Sequence, residues 1–216
     1  MAGSARKQAR VWQRMLSGRR LDLLDPSPLD VEIGDIAHGL ARVARWNGQT
    51  LGDHAFSVAQ HSLIVEALVA RSEPDPRWRL AALLHDGPEY VVGDMISPFK
   101  AVLGGDYKAV EARLQAAIHL RFGLPADLPA PITKLVKAAD RTSAREEAVR
   151  LAGFTEKEAD ALFGRASIDA CLAAEFTPRS ALEVETGFLE RFAQLERQLA
   201  DARGETPASP AMARQG

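Results

Sequence analysis

Residues Trp78-Arg79-Leu80-Ala81-Ala82-Leu83-Leu84-His85-Asp86 decide how this chain is read. From Trp78 to Leu84 the stretch is apolar apart from Arg79, which predicts a central, buried helix. It then runs straight into an adjacent imidazole and carboxylate. Outward from it the helical period recurs on both sides. Val31 to Arg45 places Ile33, Ile36, Ala37, Leu40 and Val43 at three- and four-residue steps, and Phe56 to Arg71 does so through Ala59, Leu63, Ala67 and Leu68. Tyr107 to Phe122, Ile132 to Leu151, Glu156 to Phe163 and Leu182 to Leu199 continue it. No stretch alternates with period two beside Gly-rich turns, so the expected fold is an all-α, compact multi-helix bundle with little or no sheet. Asp25-Pro26-Ser27-Pro28, Glu73-Pro74-Asp75-Pro76, Leu124 to Pro131 and Thr177-Pro178 mark the breaks. One helical domain is expected over residues 1–203, with 1–20 packing loosely on it, followed by a disordered tail over 204–216.

Composition narrows the function classes. The chain has 216 residues, 46% apolar and 26% charged, enough for a sizeable core. Its 27 Lys and Arg against 29 Asp and Glu leave a formal charge of −2, with no global field to draw it onto a nucleic-acid polymer or an anionic membrane. The single cysteine, Cys171, cannot close an internal disulfide. Met1 to Arg20 lacks the apolar run of a secretory signal, and no apolar run has the length of a membrane span. A soluble, cytoplasmic protein is expected. Leu182 to Leu199 carries an apolar stripe that packs either on the domain or on a second copy of the chain as a homodimer.

The chain has five histidines, and His61 and His85 sit in informative surroundings. Asp86 follows an apolar run, and Asp140 lies in Val136-Lys-Ala-Ala-Asp140, also near an apolar helical face. A carboxylate buried in such a segment is costly unless it is paired or bound to a cation. Two imidazoles and two carboxylates suit a divalent first-row metal. Adjacent residues point about 100° apart on a helix, so His85 and Asp86 converge on one ion only at a helix end, with ligands from other helices. His61 and Asp140 would be those ligands.

In this order the residues resemble the H…HD…D signature of the HD-domain metal-dependent phosphohydrolase superfamily. The runs Phe56-Ser-Val-Ala-Gln-His61-Ser, Leu83-Leu-His85-Asp86-Gly-Pro-Glu89 and Gly93-Asp94-Met-Ile-Ser-Pro98-Phe-Lys100 are similar to the bacterial 5'-deoxynucleotidase and deoxynucleotide phosphohydrolase branch, over roughly Leu21 to Arg150. The resemblance implies one divalent ion (Mn²⁺, Co²⁺, Zn²⁺ or Mg²⁺) on His61, His85, Asp86 and Asp140. It implies a small-molecule deoxynucleotide as substrate. Glu89, three residues past Asp86, would orient or deprotonate the attacking water on the same side of the next turn. Arg45 would hold phosphate, Trp46 would pack on sugar or base, and Asp94 would meet the sugar hydroxyl. Lys100 and Lys137 would add charge for the phosphate.

Two positions depart from the family pattern. Gly87-Pro88 follows the His-Asp pair, and proline disfavours the helical conformation in the residue before it, so the helix is expected to end or restart there. Gln60 stands where deoxynucleotidases often carry glutamate, which removes a charge expected behind the ligands. The competing reading is a nucleotide-sensing or interaction module that keeps the metal cage without turnover. A di-iron oxygenase on the same scaffold would need a His-Asp-x-x-His cluster, and position 89 is Glu.

Overall fold

The computed structural model describes residues 11–96 and 105–204. Among the described residues the fold is all-α with one small ribbon, β1 (Trp12–Arg14) paired antiparallel with β2 (Arg20–Asp22). The helices are α1 (Ile33–Leu40), α2 (Val58–Val69), α3 (Pro76–Leu83), α4 (Glu89–Val92), α5 (Gly105–Arg121), α6 (Ala130–Arg150), α7 (Glu156–Phe163), α8 (Ala170–Ala174) and α9 (Ala181–Arg203). The tail beyond Gly204 and Lys100 both lie outside the described residues. No helix among the described residues is long and apolar enough to cross a membrane.

Among the described residues the ribbon is the one sheet, and it is too short to show an alternating pattern. Met15 to Arg19 turns the chain, with Gly18 at φ 91° and the Gly18 N–H on the Met15 carbonyl. Leu21 drives its docking, being fully buried in the main core with Val31, Ile36 and Leu40.

Helix α2 is the centre of the molecule. Ser57 caps it by accepting from the Gln60 N–H. It packs against α1, α3, α6 and α9, and so is buried on nearly every side. The three- and four-residue steps of Phe56 to Arg71 predict one apolar face, yet the polar Gln60, His61 and Glu66 are interior as well. Their polar atoms need partners, because an unpaired buried polar group is expensive. Glu66 finds two, Arg79 Nε at 2.9 Å and Arg191 Nε at 2.7 Å, which tie α2 to α3 and α9. Gln60 donates to the Glu175 and Thr177 carbonyls, both at 2.7 Å, and accepts from the Arg179 N–H.

Helix α3 starts with Asp75 as its cap and Pro76 in its first turn. Helix α9, opened by a Ser180–Glu183 capping box, lays Val184, Phe188, Phe192 and Leu195 into the core. Those four residues of the Leu182 to Leu199 stripe pack on the chain's own domain, while Leu182 is exposed.

The helix expected over Val31 to Arg45 ends at Leu40. Instead of continuing, Val43 and Arg45 pair with the approach to α2: the Val58 N–H reaches the Val43 carbonyl at 3.0 Å and the Arg45 N–H reaches the Phe56 carbonyl at 2.8 Å. This brings Arg45 and Trp46 beside the first turn of α2.

Candidate metal centre

Four side chains from three places meet at one end of α2. His61 lies in its first turns, Asp140 on α6, and His85 and Asp86 in the turn after α3. Helix α3 ends at Leu83 and the chain restarts at Pro88, as expected of Gly87-Pro88. Gly87 is needed for packing: a Cβ there would stand 3.0 Å from both Ile118 Cδ1 and the Leu84 carbonyl oxygen. The tight turn turns His85 and Asp86 toward the same point.

His61 Nε2 is 3.3 Å from His85 Nε2, 3.5 Å from Asp86 Oδ2 and 3.3 Å from Asp140 Oδ1. His85 Nε2 is 3.3 Å from Asp86 Oδ2. One donor atom each from His61, His85 and Asp86 lie within 4.8 Å of one another, a cluster able to hold a metal ion, and Asp140 approaches it beside His61.

Hydrogen bonds fix what these atoms are. His85 Nδ1 sits 2.9 Å from the Ala82 carbonyl, which only accepts, so Nδ1 carries the proton and Nε2 a lone pair. His61 Nδ1 sits 2.5 Å from Glu147 Oε1 and donates to that carboxylate, which leaves its Nε2 facing the cluster. With a cation in place of the His61 Nε2 proton, the Nε2 atoms of His61 and His85 and the carboxylates of Asp86 and Asp140, 3.3–3.5 Å apart along the chain of contacts, would all serve as ligands. Ligands held about 2.0–2.2 Å from one ion stand roughly 3.0–3.6 Å apart in tetrahedral or octahedral arrangements. The donor set fits a divalent cation.

Charge points the same way. Around Arg45 and the two imidazoles stand four carboxylates, Asp86, Asp94, Asp140 and Glu147. Burial works against ionised Asp86, but the neighbouring His85, His61 and Arg45 outweigh it and hold its pKa well below the carboxylate range. Asp140 is lowered too, burial being outweighed by its hydrogen bond to His61. Burial and the Arg45 charge press His61 down, yet Glu147 and Asp140 overcome them and hold its pKa at about 10. In the absence of a metal a proton takes that place.

The remaining expected site residues divide. Arg45 Nε donates to Glu147 Oε2 at 3.2 Å, and its Nη1 donates to Asp94 Oδ2 at 3.3 Å and lies 3.9 Å from Asp86 Oδ2. Arg45 and Asp94 are therefore joined to the centre and to each other. Trp46 is in the left-handed region at φ 57°, followed by Asn47 at φ 51°. Such a conformation is costly for a residue with a Cβ and is held here from outside. The indole N–H donates to Glu147 Oε2 at 2.8 Å, and the ring packs on Phe154 and Phe163. Glu89 opens α4 rather than riding the same helix as Asp86. It is buried, and it lines a cavity of about 260 Å³ together with His85, Asp86, Lys108, Glu111 and Gln115. Lys137 is exposed, one turn before Asp140 on α6.

The sequence reading passed over Glu147, Ser143 and Lys108. Glu147 supplies the charge behind His61 that was expected at position 60, and Ser143 donates to Glu147 Oε1 at 2.8 Å. Asp140, Ser143 and Glu147 share one face of α6 at helical spacing, a signal that could have been followed. Lys108 had none. His119 is structural, with Nδ1 toward the Ala126 carbonyl and Nε2 toward Gln115.

No protein-family model matches the chain. It is 34% identical over 103 residues to the uncharacterized protein YfdR of Escherichia coli, a match covering 48% of this chain and 53% of that protein. It is 68% identical over 158 residues to an uncharacterized protein of Rhodobacter capsulatus, covering 72% of this chain and 81% of that one. At that identity and coverage, the chain belongs to the same family as the Rhodobacter capsulatus protein.

Proposed function

We propose that this protein is a metal-dependent phosphohydrolase of the HD-domain type that cleaves a phosphoester of a deoxynucleotide, in a 5'-deoxynucleotidase-type reaction. The observation that carries the reading is the convergence of ligand atoms from His61, His85 and Asp86 within 4.8 Å of one another, with Asp140 3.3 Å from His61, beside a cavity walled by a buried glutamate and a lysine. His61, His85, Asp86 and Asp140 would hold Mn²⁺, Co²⁺, Zn²⁺ or Mg²⁺, all compatible with a nitrogen and oxygen set. The bound ion would supply acidity for an attacking water and polarise a phosphoryl oxygen. Glu89 orients that water and accepts its proton from the cavity wall. Arg45, held beside Asp86, and Lys108, in the same wall, offset charge on the phosphoryl oxygens. Asp94 and Trp46 stand on the Arg45 side, where they would meet the sugar and base. Lys137, exposed one turn before Asp140, would add further charge for the phosphate, as would Lys100, which lies outside the described residues.

The test is a panel of deoxy- and ribonucleoside mono-, di- and triphosphates against each of the four metals, with phosphate and pyrophosphate measured separately. Release of phosphate from deoxynucleoside monophosphates is the expected result. Tight nucleotide binding without turnover for any metal would replace this reading with that of a nucleotide-sensing module.

A further inference from the structure

Glu147 is fully buried, and both of its oxygens are engaged. Oε1 accepts from His61 Nδ1 at 2.5 Å and from Ser143 Oγ at 2.8 Å. Oε2 accepts from Trp46 Nε1 at 2.8 Å and from Arg45 Nε at 3.2 Å. A buried carboxylate is tolerated when its lone pairs are satisfied in this way. The donors come from the turn after α1, from α2 and from α6, so one anion joins three segments.

The two oxygens serve different partners. On one side Glu147 holds the His61 proton on Nδ1 and so aims the Nε2 lone pair at His85, Asp86 and Asp140. On the other it holds Arg45 by Nε, which leaves Nη1 directed at Asp94 and, at 3.9 Å, at Asp86. Asp86 is thus shared between Arg45 and the cation cluster. A cation held by Asp86 would weaken that carboxylate's hold on Arg45, 3.9 Å away, and would leave the guanidinium more available to an outside anion. The Glu147 bond to Arg45 Nε would hold the guanidinium in place meanwhile.

We propose that Glu147 is a positioning residue that couples divalent-cation binding at His61, His85, Asp86 and Asp140 to anion binding at Arg45. The inference rests on the metal-site part of the proposed function and is independent of hydrolysis. A glutamine at 147 keeps the shape, but its amide nitrogen cannot accept, so one arm of the bridge must face a donor with a donor.

The experiment titrates Mn²⁺ into the full-length, metal-free protein and reads free Mn²⁺ by electron paramagnetic resonance, with and without inorganic phosphate. In the wild type, phosphate should tighten Mn²⁺ binding by about 5- to 150-fold, the usual span of coupling between two sites. In Glu147→Gln, Mn²⁺ alone should bind about 10- to 100-fold more weakly, the usual cost of losing a carboxylate behind a ligating histidine. The phosphate effect should vanish with it. A merely structural role would lower the melting temperature and leave the phosphate effect in place. If Glu147→Gln does not fold, Glu147→Asp keeps the charge but shortens its reach, and should weaken both Mn²⁺ binding and the phosphate effect; an undiminished phosphate effect there overturns the coupling. A wild type that binds Mn²⁺ without any response to phosphate overturns the coupling, as does a folded Glu147→Gln that keeps the response. A wild type that binds no Mn²⁺ overturns the metal site itself, and the coupling with it.

Discussion

Replacing Gly39 with alanine tests whether the contact between α1 and α4 sets the position of Glu89. A Cβ on Gly39 would stand 2.8 Å from Tyr90 Cβ, 3.1 Å from the Tyr90 carbonyl oxygen and 3.2 Å from Tyr90 Cα. Non-bonded carbons settle about 3.5–4.0 Å apart, so Gly39→Ala must part the two helices by roughly 0.7–1.2 Å. None of the three atoms is the end of a flexible side chain, so relief comes from moving α4 as a whole. Helix α4 is only four residues long, and Glu89 is its first. Alanine gains about 1 kcal/mol over glycine within a helix, while overpacking of this kind costs about 1–3 kcal/mol. The net expectation is a loss of up to about 2 kcal/mol in urea denaturation. Misplacement of a reacting group by about 1 Å costs on the order of 10²-fold in rate, so turnover should fall by about that factor with Mn²⁺ still bound. A variant about 1 kcal/mol more stable than wild type, with unchanged turnover, would refute the reasoning.

Asp86→Ala should abolish stoichiometric metal by elemental analysis, because Asp86 closes the cluster on both histidines; full metal content in that variant would remove Asp86 from the ligand set. Glu89→Gln should keep metal and nucleotide binding while turnover falls by roughly 10²–10⁴-fold, and a wild-type rate would mean that another group accepts the proton. Because the His61 pKa is held at about 10, binding a cation at neutral pH expels one proton. Mn²⁺ affinity should therefore strengthen by about tenfold per pH unit from near pH 6.5 toward pH 10, and a flat profile over that window would contradict the assignment. In the metal-free protein the sign is opposite. The His61 pKa lies above its unfolded value of about 6.5, so the stabilisation is complete below that pH and is lost as pH rises through about 10, which urea melts across the range would reveal.

Local physics explains what could be read from the chain alone. Helical period, caps and proline breaks act over a few residues, so the helices around His61, His85 and Asp140 and the restart after Gly87-Pro88 were legible. A carboxylate in an apolar segment cannot be left unpaired, which singled out Asp86 and Asp140 before any contact was known. Glu147 was hidden for the same reason in reverse. In Arg145-Glu146-Glu147 it reads as part of a solvated helix face, and only the packing of α6 on α2 buries it. Its partners His61 and Arg45 lie 86 and 102 residues away in the chain. The left-handed turn at Trp46 is likewise unfavoured locally, and is held by Glu147, Phe154 and Phe163. Gln60 shows the limit most directly: a missing charge at one position is supplied from another helix, because electrostatic support depends on distance in space and not on distance along the chain.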